Sequence, residues 1–584
     1  MAGSRKQDSG LHQCAWSVRH VSDNVIDQVW ASRAIECCLR HGIDHFFLAP
    51  GSRCTPLTLA VARVADQSRA NVIQHFDERG LAFAALGYGR ATGKPGVFIC
   101  TSGTAVANAF PAVIESAMES VPMLLFTADR PPELRDTGAN QTIDQQNIFG
   151  NYPKLFLDMP APTDDDLSKT FLADSLRNGI SNANHGPVHI NWMFREPFTT
   201  SDQYQHDAQA SESPAKYNPD AQASGFPILP ENQTEPQIEL RGNVLIALGR
   251  CNPDEAQQVL ELSKRMNCPI LSDVTSGIST ASFELPSEFS LPRPDTILHL
   301  GGRIVSKSWH QWTQQLEDEG VDFIHVTPTG QTINPNHLPV QKFHTSLTNL
   351  ESKIVGSPSV DSFRNSWSNA AAKRVEILES QFATEIKLNE PAIAHFLSKN
   401  CPASDGFFIG NSTPIRDLDW YGAGDSNRAR NIAANRGASG IDGLLATATG
   451  YAAGLQKRTT VLLGDLSALH DLNSLALIAE SQWPLIVVVV NNQGGHIFDL
   501  LPVRESQYFE KFFATTHEYR FEDAAKMFGI DYRRITEIED FANSYRDACA
   551  QRQSIIIELV TDRQHNIKVR NQIRKEIQEC SSQS

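Results

Sequence analysis

Short apolar runs alternate with helical stretches along most of the chain, and this alternation constrains the fold more than any other feature of the sequence. In the first third, five runs have the length and composition of buried strands. They are His45–Ala49, Val72–Phe76, Val97–Thr101, Met123–Thr127 and Val188–Trp192. Segments between them, such as Gly80–Thr92 and Ala105–Glu119, have helical patterning. This order predicts a parallel sheet covered by helices on both faces.

The same alternation occurs twice more towards the carboxyl terminus. The second set of predicted strands is Val244–Leu248, Ile270–Ser272, Thr296–Leu300 and Phe323–Val326, and the third is Phe407–Ile409, Val461–Leu463, Leu485–Val490 and Ile555–Leu559. A long helix is predicted at Asp361–Leu388, before the third set. Because 584 residues exceed what one core organises, we predict an α/β fold of three consecutive doubly wound parallel-sheet domains. Their predicted bounds are 22–198, 238–360 and 361–584, with a polar linker at 199–237.

Charge and composition exclude several classes of partner. The net charge of −16 argues against nucleic acid and against an anionic membrane surface. No apolar run reaches the ~18 residues that a membrane span needs, and the amino terminus has no apolar core typical of a secretory signal. The ten cysteines show no CxxC spacing. We therefore expect a reduced, cytoplasmic protein that binds neither nucleic acid nor membrane.

Polar residues follow two strands of the third set, where each strand ends. Gly464, Asp465, Leu466 and Ser467 follow one strand, and Asn492 and Gly494 follow the next. Carboxyl ends of parallel strands are where open α/β sheets bind ligands. Mg²⁺ prefers oxygen ligands and shares its shell with substrate phosphates, and the amino end of the helix after Ser467 suits an anion. The pattern predicts a metal and phosphate site where Asp465 and Asn492 are the ligands of the ion and the neighbouring glycines allow a phosphate to approach. The alternative is a helix cap at Asp465 and a simple turn at Asn492.

The spacing of these two segments, with 26 residues between Asp465 and Asn492, resembles the cofactor motif of the thiamine-diphosphate-dependent enzymes. That motif usually has glycine where this chain has Leu466. The resemblance implies thiamine diphosphate and Mg²⁺ as cofactors, with Mn²⁺ as an alternative ion, and it adds Gly494 to Asp465 and Asn492 as a ligand of the ion. It also assigns Glu78, which opens a helix just beyond a strand, to hold the aminopyrimidine ring in the imino form that deprotonates the thiazolium. The alternative for Glu78 is stabilisation of its own helix through the macrodipole.

Further segments resemble one family within that superfamily, the 2-succinyl-5-enolpyruvyl-6-hydroxy-3-cyclohexene-1-carboxylate synthases of menaquinone biosynthesis. They are Ala49–Arg53, Thr127–Leu134, Gly138–Gln141, Gly410–Ser412 with Arg416, and Asn435–Gly443. The resemblance implies decarboxylation of 2-oxoglutarate and conjugate addition of the succinyl-semialdehyde carbanion to isochorismate. Arginine forks suit these dicarboxylates. Simple decarboxylases of this superfamily often have an adjacent His-His pair that protonates the carbanion. This chain contains no such pair, so the carbanion is expected to survive and attack a second substrate, and His496 is expected to be structural.

The resemblance also assigns the remaining site residues. The 2-oxoglutarate end is expected at Ser412, Arg416 and Arg436, and the isochorismate end at Ser52, Arg53, Arg130, Asn140, Gln141 and Lys307. Arg53, Arg416, Arg436 and Glu78 are the predicted catalytic residues. Ile441 is expected to bend the cofactor into its reactive shape. Ile497, Phe498 and Leu501 are expected to form an apolar wall over the thiazolium ring. Alternatives are salt bridges for the arginines and core packing for Ile441. Relatives often have arginine after the lysine, where this chain has Ser308.

The resemblance implies a homodimer, or a dimer of dimers, whose active sites lie at the subunit interface. The first domain would bind the pyrimidine ring, the third the diphosphate, and the middle domain would be a spacer that lacks a dinucleotide fingerprint. Three other functions remain open from the residues alone. They are another thiamine-diphosphate carboligase or decarboxylase such as an acetolactate-synthase-like enzyme, a nucleotide-dependent oxidoreductase, and a catalytically silent scaffold.

Overall fold

The computed structural model describes residues 20–196, 198, 237–279, 281–304, 306–329, 331, 333–348, 350–423 and 429–582. In this part of the chain, strands form three large sheets of six, five and six strands, together with a two-stranded sheet. Neighbouring strands within every one of these sheets are parallel. We call the three large sheets with their helices the first, middle and third units. The predicted α/β fold is confirmed.

The first unit has the strand order β2-β1-β3-β4-β6-β5. Its strands are β1 His45–Leu48, β2 Asn71–Gln74, β3 Gly96–Cys100, β4 Met123–Asp129, β5 Leu155–Met159 and β6 Pro187–Met193. Its helices are α1 His20–Arg40, α2 Thr55–Asp66, α3 Glu78–Thr92, α4 Thr104–Asn108, α5 Phe110–Glu119 and α6 Asp166–Ala183. Strands β3, β4 and β6 are buried along their whole length, as expected for a sheet covered on both faces.

The middle unit has the strand order β12-β11-β10-β8-β9, and β7 pairs with β13 beside it. The strands are β7 Ile238–Glu239, β8 Val244–Leu248, β9 Ile270–Ser272, β10 Thr296–Leu300, β11 Asp322–Thr327, β12 Val340–His344 and β13 Ile354–Val355. The helices are α7 Pro253–Met266, α8 Leu285–Glu288 and α9 Lys307–Gln315. Asn252 and Glu255 cap helix α7 reciprocally, which fixes where this helix begins.

The third unit has the strand order β15-β14-β16-β17-β19-β18. Its strands are β14 Gly406–Ile409, β15 Asn431–Ala433, β16 Thr459–Gly464, β17 Leu485–Asn491, β18 Asp531–Ile535 and β19 Ile555–Val560. Its helices are α10 Asp361–Ala383, α11 Glu390–Asn400, α12 Thr413–Tyr421, α13 Leu444–Leu455, α14 Asp465–His470, α15 Leu475–Ala479, α16 Phe509–Phe512, α17 Glu522–Phe528, α18 Ile538–Ala550 and α19 Arg563–Ser581. The first and third units therefore share one topology.

Helices α3 and α13, which occupy equivalent places in the first and third units, pack directly against each other. A Cβ atom on Gly87 would lie 2.0 Å from the carbonyl oxygen of Thr447, and one on Gly450 would lie 1.8 Å from that of Ala84. Only glycine allows two helix backbones to approach this closely. This contact fixes the first unit against the third within one chain.

The predicted strands match observed strands to within a residue or two, but several observed strands were not predicted. The prediction missed β5, β12, β15 and β18, together with the short pair β7 and β13. The segment predicted as one helix at Ala105–Glu119 is two helices, because Pro111 at the start of α5 has no N–H to donate to the preceding turn. The long helix predicted to Leu388 ends at Ala383.

The predicted linker at 199–237 lies outside the described residues, except for its last position. The domain bounds stay predictions. None of the helices in the described part of the chain combines the length and the apolar character that a membrane span requires. The nine cysteines among the described residues carry free thiols.

Candidate active site

The carboxyl ends of β14, β15, β16 and β17 lie side by side at one edge of the third sheet, since these strands are neighbours or nearly so in the strand order. Asp465 begins helix α14 directly after β16, and Asn492 follows β17. Strands β16 and β17 pair in parallel up to Gly464 and Val490. The topology thus brings together the two predicted ligand segments, which are distant in sequence.

Asp465 is buried, and its carboxylate is surrounded by hydrogen-bond donors of the same chain. Its carboxylate accepts hydrogen bonds from the backbone N–H groups of Leu466 at 2.6 Å and Gly494 at 3.1 Å. Nε2 of His517 lies 3.2 Å from the carboxylate. Burial raises the pKa of Asp465 to about 6, and His517 and the amide donors partly offset this effect. The N-cap of α14 is Gly464, not Asp465, so capping does not explain why an acid is buried here.

The side-chain amide of Asn492 has a hydrogen-bond partner for its nitrogen but none for its oxygen in the described residues. Its Nδ2 donates to Oε1 of Glu390 at 2.6 Å. Its Oδ1 is buried and has no hydrogen-bond partner among the described residues. An unsatisfied buried carbonyl oxygen costs free energy unless a ligand, an ion or water occupies the space in front of it. This orphaned oxygen fits a metal ligand.

The surroundings of Asp465 also leave room for a phosphate group. A Cβ atom on Gly464 would meet no other atom within 4 Å, so a side chain here would project into open space next to the amino end of α14. Ser467 is buried in the same first turn, and Leu466 is half-buried. No cluster of three or more His, Cys, Asp or Glu side chains in the described ranges could hold a metal. One carboxylate plus amide and backbone oxygens is the ligand set of an ion that shares its shell with phosphates.

Two arginines lie behind this edge, at the ends of β14 and β15. Arg416, on α12, donates to the backbone oxygen of Ser412 at 2.6 Å. Arg436 donates to Oδ1 of Asn411, and its Nε is buried without a partner in the described structure. Burial lowers the pKa of both guanidinium groups, and the charge of Arg416 lowers that of Arg436 further. Neither arginine forms an ion pair with a carboxylate among the described residues, so both remain available to an anion.

The loop that carries Arg436 is strained and tightly held. In this loop Ser439 has a positive φ angle of 57°, and in the adjacent turn before α12 Ser412 has one of 75°; non-glycine residues adopt this conformation at a cost. Nδ2 of Asn411 donates to the backbone oxygens of Asn435 and Gly440, at 2.9 and 2.7 Å. Ile441 follows this loop and is 40% exposed. Its exposure excludes ordinary core packing as the explanation for this side chain.

Glu115, on helix α5 of the first unit, holds the same loop from the other side. Its two carboxylate oxygens accept from the backbone N–H groups of Gly437 at 3.0 Å and Ala438 at 2.7 Å. Arg90 pairs with Glu115 at 3.1 Å, and all of these groups except Ala438 are buried. The residue after Arg436 is therefore clamped by the first unit of the same chain.

Glu78 is the first residue of helix α3, which Asp77 caps through a hydrogen bond from the N–H of Arg79. The Glu78 carboxylate is half-buried and accepts a long hydrogen bond of 3.3 Å from Nδ2 of Asn108. Phe76, two residues earlier, is 68% exposed. An acid and a large apolar side chain thus stand together at the surface of a single chain.

Arg53 is buried and held by its own chain at the end of β1. It donates to the backbone oxygen of Phe194 at 3.0 Å and to Glu196 at 2.6 Å, and its guanidinium lies 4.7 Å from the centre of the Phe198 ring. Burial and the neighbouring Arg130 lower the pKa of Arg53. The alternative of a salt bridge is therefore realised for Arg53, since Glu196 already pairs with it. Ser52, directly before it, is exposed.

Arg130, Asn140 and Gln141 lie together around Ser102 in the first unit. Arg130 donates to Oγ of Ser102 and, at 2.5 Å, to the backbone oxygen of Asn140. Gln141 has a positive φ of 55° and donates through Nε2 to the backbone oxygen of Ser102 at 2.8 Å. These contacts bring three of the predicted isochorismate residues into one cluster.

The remaining predicted residues are more exposed. Lys307 is the exposed first residue of α9, and the hydroxyl of Ser308 donates to Glu284 at 2.6 Å. Ile497 and Phe498 are half-buried, and Leu501 is 47% exposed. Nδ1 of His496 lies 3.3 Å from Asp499, and burial lowers the pKa of His496. This favours a neutral histidine that fixes its own loop.

Apart from Lys307, which lies on α9 of the middle unit, the structure places the predicted residues in two groups within one chain. Residues of the first unit from Ser52 to Gln141 form one group, and residues of the third unit from Ser412 to Leu501 form the other. No hydrogen bond or ion pair between the two groups occurs in the described parts of the chain. Arg79 does contact the third unit, donating to the backbone oxygen of His470 at 2.9 Å. That contact is at the carboxyl end of α14, and Asp465 is at the amino end.

Sequence reasoning missed three acids that hold the predicted residues in place, namely Glu115, Glu196 and Glu390. Each forms its contact over a long sequence separation, for example 102 residues between Glu390 and Asn492. Such pairs leave no local pattern. The only available signal was the presence of an acid in the predicted buried or strand-flanking segments, which is too common to be informative.

Comparison with protein families divides the chain into three successive matches. Residues 30–148 match the thiamine pyrophosphate enzyme, N-terminal TPP binding domain. Residues 226–409 match the middle domain of thiamine pyrophosphate enzymes, and residues 422–559 match the C-terminal TPP binding domain. The order of the matches is the order of the three sheets, so the chain has the domain set of a thiamine-diphosphate enzyme.

Full-length relatives narrow the family. Proteins named 2-succinyl-5-enolpyruvyl-6-hydroxy-3-cyclohexene-1-carboxylate synthase match the chain in several bacteria. The one from Pelodictyon phaeoclathratiforme is 35% identical, covering 94% of this chain and 95% of its own length. Those from Salinibacter ruber and Rubrobacter xylanophilus are 34% and 36% identical, covering 97% and 94% of this chain and 99% and 98% of their own lengths. The chain therefore belongs to the 2-succinyl-5-enolpyruvyl-6-hydroxy-3-cyclohexene-1-carboxylate synthase family of thiamine-diphosphate-dependent enzymes.

Proposed function

We propose that the protein decarboxylates 2-oxoglutarate and adds the resulting four-carbon carbanion to isochorismate, using thiamine diphosphate and Mg²⁺. The product would be 2-succinyl-5-enolpyruvyl-6-hydroxy-3-cyclohexene-1-carboxylate, with release of CO₂. The observation that carries the proposal is the pair of ligands at neighbouring strand ends, the buried carboxylate of Asp465 and the orphaned Oδ1 of Asn492. The names of the full-length relatives support the same reaction.

In this proposal the third unit holds the anionic end of the cofactor. Asp465, Asn492 and the backbone at Gly494 would bind Mg²⁺, with Mn²⁺ as an alternative ion, and Gly464 and Ser467 would hold the diphosphate. When bound, the cofactor supplies a nucleophilic carbon and an electron sink for decarboxylation. Glu78 would hold a proton on the pyrimidine ring, a task for which its half-buried carboxylate with one weak hydrogen bond is available.

The two substrates would use different arginines. Arg416 and Arg436 have no carboxylate partner among the described residues, and we assign the distal carboxylate of 2-oxoglutarate to them together with Ser412. Isochorismate would bind at Ser52, Arg53, Arg130, Asn140, Gln141 and Lys307. Arg53 already donates to Phe194 and Glu196, so it offers this substrate its remaining N–H groups, among them the buried unpartnered Nε, and its charge.

We further propose that the site is completed by a second copy of the chain, in a homodimer or a dimer of dimers. Within one chain, the start of α3 contacts the carboxyl end of α14, whereas the proposed metal site is at the amino end. Phe76 beside Glu78 and Leu501 on the proposed thiazolium wall are both strongly exposed, at 68% and 47%. A facing subunit would cover these apolar side chains and bring Glu78 to the cofactor. The bounds 22–198, 238–360 and 361–584 remain our proposal for the three domains.

The direct test is a reaction that contains 2-oxoglutarate, isochorismate, thiamine diphosphate and Mg²⁺, read by mass spectrometry of the product. The proposal requires the mass of the conjugate adduct after loss of CO₂, and its dependence on both substrates. A parallel reaction with pyruvate in place of 2-oxoglutarate tests an acetolactate-synthase-like preference. Formation of an adduct from pyruvate alone, with none from 2-oxoglutarate, would overturn the proposal.

A further inference from the structure

The amide of Asn492 can serve a metal only if its oxygen, not its nitrogen, faces the ion. The side chain of Glu390 lies behind this amide, where Oε1 accepts from Nδ2 of Asn492 at 2.6 Å. An ionised carboxylate can only accept hydrogen bonds. The nitrogen of Asn492 must therefore point towards Glu390, and its oxygen must point the other way, where it is buried and has no partner in the described chain.

Glu390 is itself fixed by a buried network. It is 6% exposed and begins helix α11, where Asn389 is the cap residue. Its Oε1 also accepts from Nδ2 of Asn566 at 3.0 Å, and its Oε2 accepts from Arg570 at 2.6 Å. Every oxygen of the carboxylate is thus committed, and its charge is compensated by a guanidinium that is also buried. The position of the Asn492 amide is determined by a group that cannot turn.

Arg570, on the carboxyl-terminal helix α19, lies between two carboxylates. It donates to Glu390 on one side and makes a two-pronged contact with Asp417 on the other. Asp417 belongs to helix α12, which also carries Arg416. Both acids are buried and both pair with Arg570, but only Glu390 contacts Asn492. Substitution of Glu390 should therefore change the affinity for the metal ion, whereas substitution of Asp417 should not.

We propose that Glu390 is a positioning residue for the divalent metal ion, because it orients the amide of Asn492 with the oxygen towards the ion. The inference rests on the proposed metal site at Asp465 and Asn492. Groups that orient a metal ligand from behind typically change metal affinity by about 10- to 100-fold when they are altered. Glu390 should therefore act on Mg²⁺ affinity without touching the ion.

The variant Glu390→Gln tests this role with little change in shape. A glutamine has one acceptor oxygen, so it cannot accept from both Arg570 and Asn492 in the way that Glu390 does. A hydrogen bond from a charged donor is roughly twice as strong as a neutral one, and the oxygen should turn to Arg570. The amide nitrogen of the glutamine then faces Asn492, whose amide must rotate and present its own nitrogen to the metal. Asn566 keeps its other hydrogen bond, to Thr561.

The measurement is a Mg²⁺ titration of the full-length protein with thiamine diphosphate present, followed by tryptophan fluorescence or calorimetry, without substrates. Glu390→Gln should raise the apparent Mg²⁺ dissociation constant by about 10- to 100-fold. Asp417→Asn is the control, since it removes the other carboxylate of Arg570 and should lower the melting temperature similarly while leaving Mg²⁺ affinity unchanged. An unchanged affinity in Glu390→Gln, or an equal loss in both variants, would overturn the positioning role.

A reciprocal exchange makes the test independent of the stability of one variant. In Glu390→Gln combined with Asn492→Asp, the glutamine nitrogen donates to the new carboxylate, whose other oxygen can face the ion. The double variant should bind Mg²⁺ more tightly than Glu390→Gln alone. If Glu390→Gln does not fold, the double variant carries the test, and a folded double variant that does not bind Mg²⁺ contradicts the proposal.

Asp465→Ala distinguishes failure of this inference from failure of the proposed function. If Asp465→Ala loses Mg²⁺ but Glu390→Gln does not, the metal site stands and only the role of Glu390 is wrong. If Asp465→Ala also binds Mg²⁺ normally, the proposed metal site is itself wrong, and Glu390 has no metal ligand to orient.

Discussion

The first and third units have the same strand order but carry different chemistry at the same strand ends. Counting along each unit, the first four strands are β1 to β4 in one and β14 to β17 in the other. The residues that follow them are Arg53, Glu78, Ser102 and Arg130 in the first unit, and Arg416, Arg436, Asp465 and Asn492 in the third. The helices α3 and α13, which pack on each other, are also equivalent. One scaffold is therefore used twice for two different tasks.

The environments of these side chains explain the difference. In the first unit Arg53 is paired with Glu196 and Arg130 with backbone and hydroxyl oxygens, while the acid Glu78 is half-buried and weakly bonded. In the third unit the acid Asp465 is deeply buried, and Arg416 and Arg436 have no acidic partner in the described residues. Unpaired cations and a buried acid suit anionic ligands and a metal. A weakly bonded acid near the surface suits proton transfer once it is covered.

Of the substitutions considered, removal of the Asp465 carboxylate in the third unit should have the largest effect, namely on cofactor binding. Asp465→Ala should abolish detectable binding of thiamine diphosphate in the presence of Mg²⁺, because the diphosphate loses its charge compensation. Calorimetric titration of the variant measures this. Burial raises the pKa of Asp465 to about 6, so its ionised form adds no stability to the fold at neutral pH. We therefore expect a small change in the apoprotein melting temperature. Tight cofactor binding by this variant would assign the metal elsewhere.

The corresponding change in the first unit should separate binding from turnover. Glu78→Gln should retain cofactor affinity and lose most of the turnover, since an amide cannot stabilise the protonated ring nitrogen. Steady-state assays together with a cofactor titration measure both properties. The neighbouring Asp77→Ala is the control, because it removes the cap of α3 at a cost of ~0.5–2 kcal/mol and should spare turnover. Near-normal turnover of Glu78→Gln would return Glu78 to a role in helix stability.

The arginines should divide the two half-reactions. Arg416→Ala should weaken the 2-oxoglutarate step, since loss of one partner of a buried charged contact costs ~2–5 kcal/mol, or about 30- to several thousand-fold at 1.4 kcal/mol per tenfold. Arg53→Ala should spare CO₂ release and impair capture by isochorismate. It should also lower the melting temperature, because the carbonyl of Phe194 and the acid Glu196 lose their partner. Measurement of CO₂ release and of adduct formation separates the steps, and equal damage to both steps in both variants would contradict this division.

The smallest effect is expected where the first unit clamps the third. Glu115→Gln leaves one acceptor for the N–H groups of Gly437 and Ala438, so the loop loses one hydrogen bond worth about 1 kcal/mol. The variant also removes the ion pair between Glu115 and Arg90, but Glu119 still pairs with Arg90, so the added cost should appear in the melting temperature and not in the KM. The KM for 2-oxoglutarate should rise roughly fivefold, with kcat nearly unchanged, because the loop still carries Arg436. Initial rates at varied 2-oxoglutarate measure this. A fall in kcat without a change in KM would mean that Glu115 acts on the chemistry and not on the loop.

Most of the fold could be predicted because its central strands are apolar and bounded by turns. The strands that the prediction missed in the three large sheets, β5, β12, β15 and β18, all lie at sheet edges. Their side chains are partly exposed, as in the polar-rich Val340–His344 and Asp531–Ile535, so they lack the continuous apolar run of a strand covered on both faces. Edge strands of this kind are invisible to a search for apolar runs.

The candidate site divides in the same way. Residues at strand ends, such as Asp465 and Asn492, could be predicted because a strand end is a local feature with a general role in α/β sheets. The residues that hold these side chains in place could not be predicted from the sequence. Glu390 lies behind Asn492, and Glu115 behind the loop of Arg436, through contacts that only the tertiary structure creates. The pairing of Arg53 with Glu196 likewise depends on how the chain after β6 reaches the turn after β1, although β3 and β4 lie between these two strands.

The central claim is that a first unit from one chain and a third unit from another complete each active site. It is tested by mixing inactive Glu78→Gln chains with inactive Asp465→Ala chains and by verifying subunit exchange with two different tags. Random exchange gives about half heterodimers, each with one intact site and one doubly defective site, so roughly a quarter of wild-type activity should return by symmetry. Heterodimers that form and remain inactive would place Glu78 and Asp465 in the same site within one subunit and would contradict the account.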